Sequence, residues 1–433
     1  MSISTSTNPL ADTSTLAQTL ADAKIAWDQL ERDYHPLLSM VRALIGVAPN
    51  CDVYLEIWPP AFRAYNLLVP NSLNLPAMLL GAGARKDLIG LAMYATSRAA
   101  GCMYCSAHCC SFALRRGASA TAIQEQGDAA EQATVAFAKA LGTMPATLTP
   151  QHLQALAPHY SAADRQWLLW SVALMGFLGK FMDAMGVPLE QEAIADAQDI
   201  IGGNGWSPGK HQWTKPEPIP SAQVPTDNAK LYINVLRNAP QALWLQHTWL
   251  RGLGFSARSA LHALEKATGY GFPRLQGRKP ERPTIALAGV LRDQLNGADS
   301  PLGLRTKCLA GLVFAKTTGC SWLQADLHAL LQVHGPDLEP SLLSSVEVFA
   351  TISDPQVPPP PQLPPLTCAA VTLAKGISAS PVVLDLGHPV FQKARAELSA
   401  PQLVELVVWT SVLQLIYRLY AFDKVETAPS NPG

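Results

Sequence analysis

Nearly half of the 433 residues are apolar (48%) and only 15% are charged, which excludes a disordered polymer and allows a large buried core. A formal net charge of −1 offers no basic surface for nucleic acid or for an anionic membrane. The first 24 residues carry no basic segment followed by an apolar one, and eight cysteines in so long a chain do not make a secreted disulfide scaffold. The expected setting is cytoplasmic, with thiols kept reduced.

Apolar residues at three- and four-residue spacing dominate and alternating patterns are scarce, so the expected fold class is all-α. Ser14–Tyr34 is predicted as an amphipathic helix broken or kinked at Pro36, with Leu37–Ile45 continuing to Gly46. Ala84–Arg98 and Tyr104–Arg116 read as a helical pair around Gly101. Glu131–Leu141 and Ala163–Ala184 are two further helices, the second opening on a Ser-Ala-Ala-Asp cap. Within these, Leu88–Leu114 is interrupted by Arg98 and Gly101. Trp167–Leu178 is apolar for only about a dozen residues, against the ~20 of a membrane span, so no membrane is expected. Gly202–Thr226 reads as a glycine- and proline-rich loop and linker without nucleotide-binding spacing. Asp354–Thr367 holds seven prolines in fourteen residues and is expected to be an extended polyproline strap, a spacer or a docking segment.

The chain also repeats itself. Gly101–Gly117 (GCMYCSAHCCSFALRRG) and Gly319–Gly335 (GCSWLQADLHALLQVHG) align without a gap, 218 residues apart. Ala133–Leu141 resembles Ala369–Ile377, now 236 residues apart, and the proline segment lies where the extra residues must go. The second copy has Leu323, Asp326 and Leu327 where the first has Cys105, His108 and Cys109.

The first copy concentrates reactive groups in GCMYCSAHCC. Cys102 falls at a helix start, where free N–H groups and the helix dipole favour a thiolate. Cys105 lies one turn on, close enough for a local disulfide, and His108 follows at three residues, where an imidazole can move a proton at sulfur. Together with Cys109 these residues could instead ligate zinc, although one helix seldom supplies a full tetrahedral set. Cys109 and Cys110 read as small soft core residues. Because the second copy keeps its helices without Cys105 and His108, those two are assigned to chemistry rather than to folding.

The stretch Gly101-Cys102-Met103-Tyr104-Cys105-Ser106-Ala107-His108 resembles the motif of the alkylhydroperoxidase D-like (AhpD-like) branch of the carboxymuconolactone decarboxylase superfamily. The resemblance covers residues 55–192, including the segment FMDAMGVPLE (Phe181–Glu190), and extends weakly over the second half. It implies an all-α fold of two tandem helical units packed as a pseudo-dimer: residues 1–213, a Pro-rich linker 214–226, and a degenerate unit 227–433 carrying the insertion 354–367. Catalytic Cys102, Cys105 and His108 are implied, with no cofactor or metal, a hydroperoxide or other small organic substrate, a dithiol protein as reductant, and homo-oligomers. The family's relay glutamate, twelve residues before the first cysteine, is replaced here by Gly90. Asp87, Glu56 or Asp183 is expected to take its place, with Asp87, Arg98 and Tyr104 the candidate relay or anchor residues.

Three functional readings follow. The first is a thiol peroxidase or disulfide oxidoreductase in which either cysteine attacks and the other resolves. The second is a non-redox decarboxylase or isomerase in which Arg98, unless merely paired with Asp87, anchors a carboxylate and His108 moves a proton. The third is a non-catalytic helical assembly protein. The second copy is expected to hold no active site, since Cys320 stands without its partners, and to pack on the first through apolar faces that include Trp322 and Trp409.

Overall fold

The computed structural model describes residues 14–214 and 224–427, so most of the expected linker 214–226 lies outside the described residues. The first half contains α1 (Trp27–Ile45), α2 (Asp52–Leu55), α3 (Pro59–Ser72), α4 (Lys86–Ala99), α5 (Met103–Arg115), α6 (Ala120–Ile123), α7 (Ala129–Gly142), α8 (Pro150–Leu156), α9 (Ala162–Met185) and α10 (Gln191–Ile201). The second contains α11 (Ala229–Trp249), α12 (Ala257–Thr268), α13 (Glu281–Gln294), α14 (Leu304–Thr317), α15 (Ser321–His334), α16 (Pro340–Thr351), α17 (Pro365–Ser378), α18 (Pro389–Ala396) and α19 (Ala400–Glu426). With no strand among the described residues, the fold is all-α, as the periodicity predicts.

The succession α3, α4, α5, α7, α9 recurs as α13, α14, α15, α17, α19. Helices α4 and α14 are both 14 residues long. The junction after each is built alike. Gly101 and Gly319 take left-handed φ values of 73° and 68°. The N–H groups of Gly101 and Cys102 bond Arg98 O and Ser97 O, and those of Gly319 and Cys320 bond Lys316 O and Ala315 O. This is the Schellman arrangement, which needs glycine at the left-handed position. The repeated Gly-Cys is therefore a stop-and-restart signal: the glycine ends one helix and the cysteine is the N-cap of the next.

The two long helices α9 and α19 pack along each other, α3 packs on α13 and α1 on α11. Both α9 and α19 are long and apolar enough to cross a membrane, so α9 is longer than the apolar run Trp167–Leu178 suggests. Their apolar windows are 94% and 100% buried inside the fold, which gives that composition a core role here. Trp409 donates to Lys307 O and fills the space beside Gly311, with the Lys307 ammonium between its ring and that of Trp58 of the first half, while Trp322 packs on Tyr420.

Two local readings are corrected. Ser14–Tyr34 is not one helix: a short 3₁₀ turn at Gln18–Leu20 precedes a break, and α1 begins at Trp27. Helix α1 then runs through Pro36 to Ile45 with its kink at Tyr34 (φ −132°, ψ 23°), since the ring displaces the preceding turn rather than its own residue. Gly46 ends it in the left-handed region as expected. The proline segment is no extended strap. It makes turns near Pro355–Gln356 and Pro361–Gln362, and Pro365 opens α17, because a proline's fixed φ suits turns and the first helical position.

Candidate active site

Cys102 is the N-cap of α5 in extended backbone (φ −85°, ψ 100°), and its sulfur accepts the Cys105 N–H at 3.3 Å. A cysteine thus occupies the place usually taken by a serine or aspartate oxygen, and one free donor of the first turn, the Cys105 N–H, points at its sulfur. One turn on, Cys105 is buried. Burial first, then the hydrogen bond and charge of Cys102, push the Cys105 thiol well above the usual range. Cys109 follows at i+4, its sulfur 3.7 Å from Met175 Sδ. Cys110 is fully buried core, as the composition suggests.

His108 lies beyond Cys105, and its Nε2 is 2.7 Å from Glu190 Oε2. The other carboxylate oxygen of Glu190 accepts from Tyr104 O–H at 2.9 Å and from the Asn50 main-chain N–H. Burial pushes the Glu190 carboxyl up, but the His108 charge and hydrogen bond together with the Asn50 N–H outweigh it and hold the group below its ordinary value. The Tyr104 ring packs against His108 at 4.7 Å between centroids, tilted by 51°. Tyr104, Glu190 and His108 thus form one hydrogen-bonded set, and Cys105 lines the same cavity as His108 and Tyr104.

Glu190 is absent from the candidates drawn from sequence, although it ends the quoted segment FMDAMGVPLE. The loop Gly202–Trp213 holds it in place. His211 Nδ1 donates to Val187 O at 2.7 Å, Leu189 N–H donates to His211 O, and Trp206 Nε1 donates to Met103 O at 3.1 Å in the first turn of α5. Burial lowers His211 to about 4, so it is neutral and serves as a strut. The glycines and aromatics of that loop therefore clamp the Glu190 segment to the cysteine helix.

None of the three carboxylates expected to replace the missing glutamate bonds His108, although the Asp183 charge acts on Cys105. Asp87 lies at the opposite end of α4 and pairs with Arg85 at 2.6 Å. Glu56 accepts from Tyr34 O–H at 3.0 Å. Asp183 pairs with Lys210 at 2.6 Å and accepts the Val382 N–H. Arg98 neither pairs with Asp87 nor faces the cavity beside Cys105, and instead donates to Asn204 O at 3.1 Å. A glutamate at Gly90 would force the helices apart: a Cβ there would stand 2.6 Å from Ala113 Cα, because α4 and α5 touch backbone to backbone. Of the expected residues, the structure gathers Cys102, Cys105, His108 and Tyr104 and leaves out Asp87 and Arg98.

A narrow cavity of about 80 Å³ opens beside Cys105 and His108. Its walls are Val41, Leu44, Ile45, Val69, Leu73, Leu75, Phe112 and Leu178, with Met93, Met175 and Met182 among them. Tyr65, Tyr104, Cys105, His108 and Cys109 supply its polar and soft atoms, and neither lysine nor arginine lines it. Cys102 is not a wall residue. Below the site Asp52 is buried beside Cys51. Burial first, then the Glu190 charge, raise its carboxyl to about 8, so it is protonated at neutral pH. No group of three or more His, Cys, Asp or Glu among the described residues is arranged to hold a metal.

In the second copy, Cys320 is likewise the N-cap of its helix, and the N–H groups of Leu323 and Trp322 act on its sulfur. Asp326, in the place of His108, is fully buried and accepts from Tyr270 O–H at 2.7 Å and Tyr420 O–H at 2.5 Å, with Arg274 at 3.4 Å. The position that binds Glu190 in one copy is a structural carboxylate in the other.

No protein-family model matches the chain, and no curated protein matches it. Among solved structures, the apo debrominase Bmp8 matches with 24% identity over 39% of this chain and 90% of that one, at a TM-score of 0.35. A variant of the same debrominase in complex with 2,3,4-tribromopyrrole matches with 23% identity over 41% of this chain and 95% of that one, at a TM-score of 0.37.

Proposed function

We propose that the chain is a thiol-dependent reductase of apolar organic hydroperoxides, with Cys105 attacking, Cys102 resolving, and His108–Glu190–Tyr104 moving the protons. One observation carries the assignment: Cys105 and His108 line the apolar cavity and Cys102 does not. A substrate entering that cavity meets the Cys105 sulfur and the imidazole together. The walls suit a hydrocarbon or aryl group rather than hydrogen peroxide, and the three methionines can repack around it.

His108, held by Glu190, takes the Cys105 proton, and the thiolate attacks the distal peroxide oxygen. The O–O bond breaks, the alkoxide takes the proton from His108 and leaves as an alcohol, and Cys105 becomes a sulfenic acid. Cys102 attacks that sulfur as its own thiol proton passes to the departing hydroxide, so water leaves and a Cys102–Cys105 disulfide forms. An external dithiol protein returns the two electrons by thiol–disulfide exchange. A decarboxylase or isomerase of a carboxylic acid is less well supported, since no cation faces the cavity to hold a carboxylate.

Sulfenate trapping after a single addition of cumene hydroperoxide tests the proposal. Cys102→Ser should accumulate a trappable sulfenate at Cys105, and Cys105→Ser should give none. Full dithiol-supported turnover in both variants overturns it.

A further inference from the structure

Two buried cations tie the halves together from opposite sides. Lys180 and Arg418 each stand nineteen residues after the serine that caps the long helix carrying them, Ser161 for α9 and Ser399 for α19. Lys180 Nζ donates to Ile377 O at 2.9 Å and to Ser378 O at 3.4 Å, the last carbonyls of α17. Arg418 donates to Gly142 O at 3.0 Å, the last carbonyl of α7, and to Val172 O at 2.9 Å. Helices α7 and α17 hold the same place in the repeat. Each long helix therefore closes the C-terminus of the corresponding helix in the other half, where carbonyls left without partners favour a cation.

The two exchanges differ at the Gly-Cys junctions. Beyond Ser378 the chain runs without helix from Ala379 to His388. Lys180 also bonds Ala379 O and Ser380 Oγ, the latter at 3.1 Å. Three residues along α9, Asp183 accepts the Val382 N–H at 2.6 Å. Between these two ties Pro381 lies against Gly101, so close that a Cβ on Gly101 would stand 2.9 Å from its ring. Gly179, the residue before Lys180, backs Cys102: a Cβ there would stand 3.7 Å from Cys102 Cβ. Cys102 is 1% exposed and is not a wall of the cavity. In the second copy the cover is missing. A Cβ on Gly319 would meet nothing within 4 Å, and Cys320 is partly exposed. The junction that carries the cysteine pair is thus the one that the other half closes.

We infer that residues 379–384 are a lid contributed by the second half, held over Cys102 by Lys180 and Asp183, and that a dithiol protein reaches the Cys102 sulfur when this lid lifts. Thiol–disulfide exchange needs access to the sulfur attacked, and the apolar cavity leads to Cys105 instead. Substrate and reductant thus have separate entrances. The partner's thiolate bonds to Cys102, the Cys102–Cys105 bond breaks, and Cys105 leaves beside His108. The partner's second thiol then displaces Cys102, and the partner's two thiol protons end on Cys105 and Cys102. The reductant's part rests on the redox role proposed above, whereas the lid is tested without peroxide. In the reduced full-length chain, native-state labelling with N-ethylmaleimide, read at each cysteine by mass spectrometry, reports local opening. Cys102 should label about tenfold faster in Lys180→Met and in Pro381→Gly than in wild type, while the fully buried Cys110 and Cys308 keep their wild-type rates. If Lys180→Met fails to fold, Pro381→Gly decides, since it removes the ring from Gly101 and leaves the buried ties in place. Reduction of the preformed disulfide by thioredoxin should speed by a similar factor. A Cys102 rate unchanged in the folded variants, or one that rises only together with those of Cys110 and Cys308, overturns the inference. Absence of peroxide turnover with faster Cys102 labelling intact would overturn the proposed reaction and leave the lid standing.

Discussion

His108 Nε2 and Glu190 Oε2 lie 2.7 Å apart although 82 residues separate them in the chain. The carboxylate comes from the N-cap of α10, and a loop fastened to the first turn of α5 holds it there. An imidazole paired in this way is fixed in orientation and stabilised when it carries a proton. Glu190→Gln should keep the fold, since an amide oxygen can still accept from Tyr104 and Asn50, but turnover should fall by roughly 10²–10⁴-fold, the range of general acid–base catalysis. Steady-state kinetics beside a thermal melt would check this; unchanged kcat/KM would remove Glu190 from the relay.

Gly90 stands where a relay glutamate is expected, but its place is backbone contact. Gly90→Ala should destabilise the protein by about 1–3 kcal/mol through overpacking against Ala113. Gly90→Glu should cost more and restore no activity. Urea denaturation of both variants provides the measurement.

The Asp52 carboxyl is raised to about 8, chiefly by burial, against about 3.9 in an unfolded chain. The folded state therefore binds more protons than the unfolded state between these values, so this group's contribution to stability is present at low pH and is lost as pH rises from about 4 to about 8. Asp52→Asn should remove that dependence, its stability gain over wild type growing across the window by at most about 1.4 kcal/mol per pH unit. Urea midpoints at several pH values between 4 and 9 would show it, and parallel curves would contradict it.

Asp326 of the second copy holds Tyr270 and Tyr420 in a fully buried site. Asp326→Ala should cost about 3–5 kcal/mol by leaving buried donors and Arg274 without their acceptor. Turnover per folded molecule should stay near the wild-type value. Cys320→Ser should change neither quantity, because a serine can cap the same helix start and Leu323 and Asp326 stand in place of a cysteine and a base. Loss of turnover in Cys320→Ser would assign chemistry to the second copy.

A chain ending near Pro220 would uncover the Gly176 face of α9 and leave its backbone without α19. It should aggregate or self-associate through that face. A monomeric and fully active fragment in gel filtration would show that the second half is independent.

The sequence by itself determined what depends on neighbours along the chain. Helical period, the Gly-Cys stop-and-restart and the i, i+3 spacing of Cys105 and His108 are local, so they appear as written and appear twice where the segment repeats. Local rules also failed where local geometry had alternatives: prolines that read as an extended strap make turns and start a helix instead. Only the tertiary structure decided the rest. Glu190 meets His108 because a loop folds back on α5, and no spacing encodes an 82-residue return. Gly90 is read as a lost function in sequence and is a helix contact in space, since a missing Cβ acquires meaning only from what approaches it. That Cys105 rather than Cys102 meets the cavity follows from how helices pack face to face, which sets the wall each side chain joins.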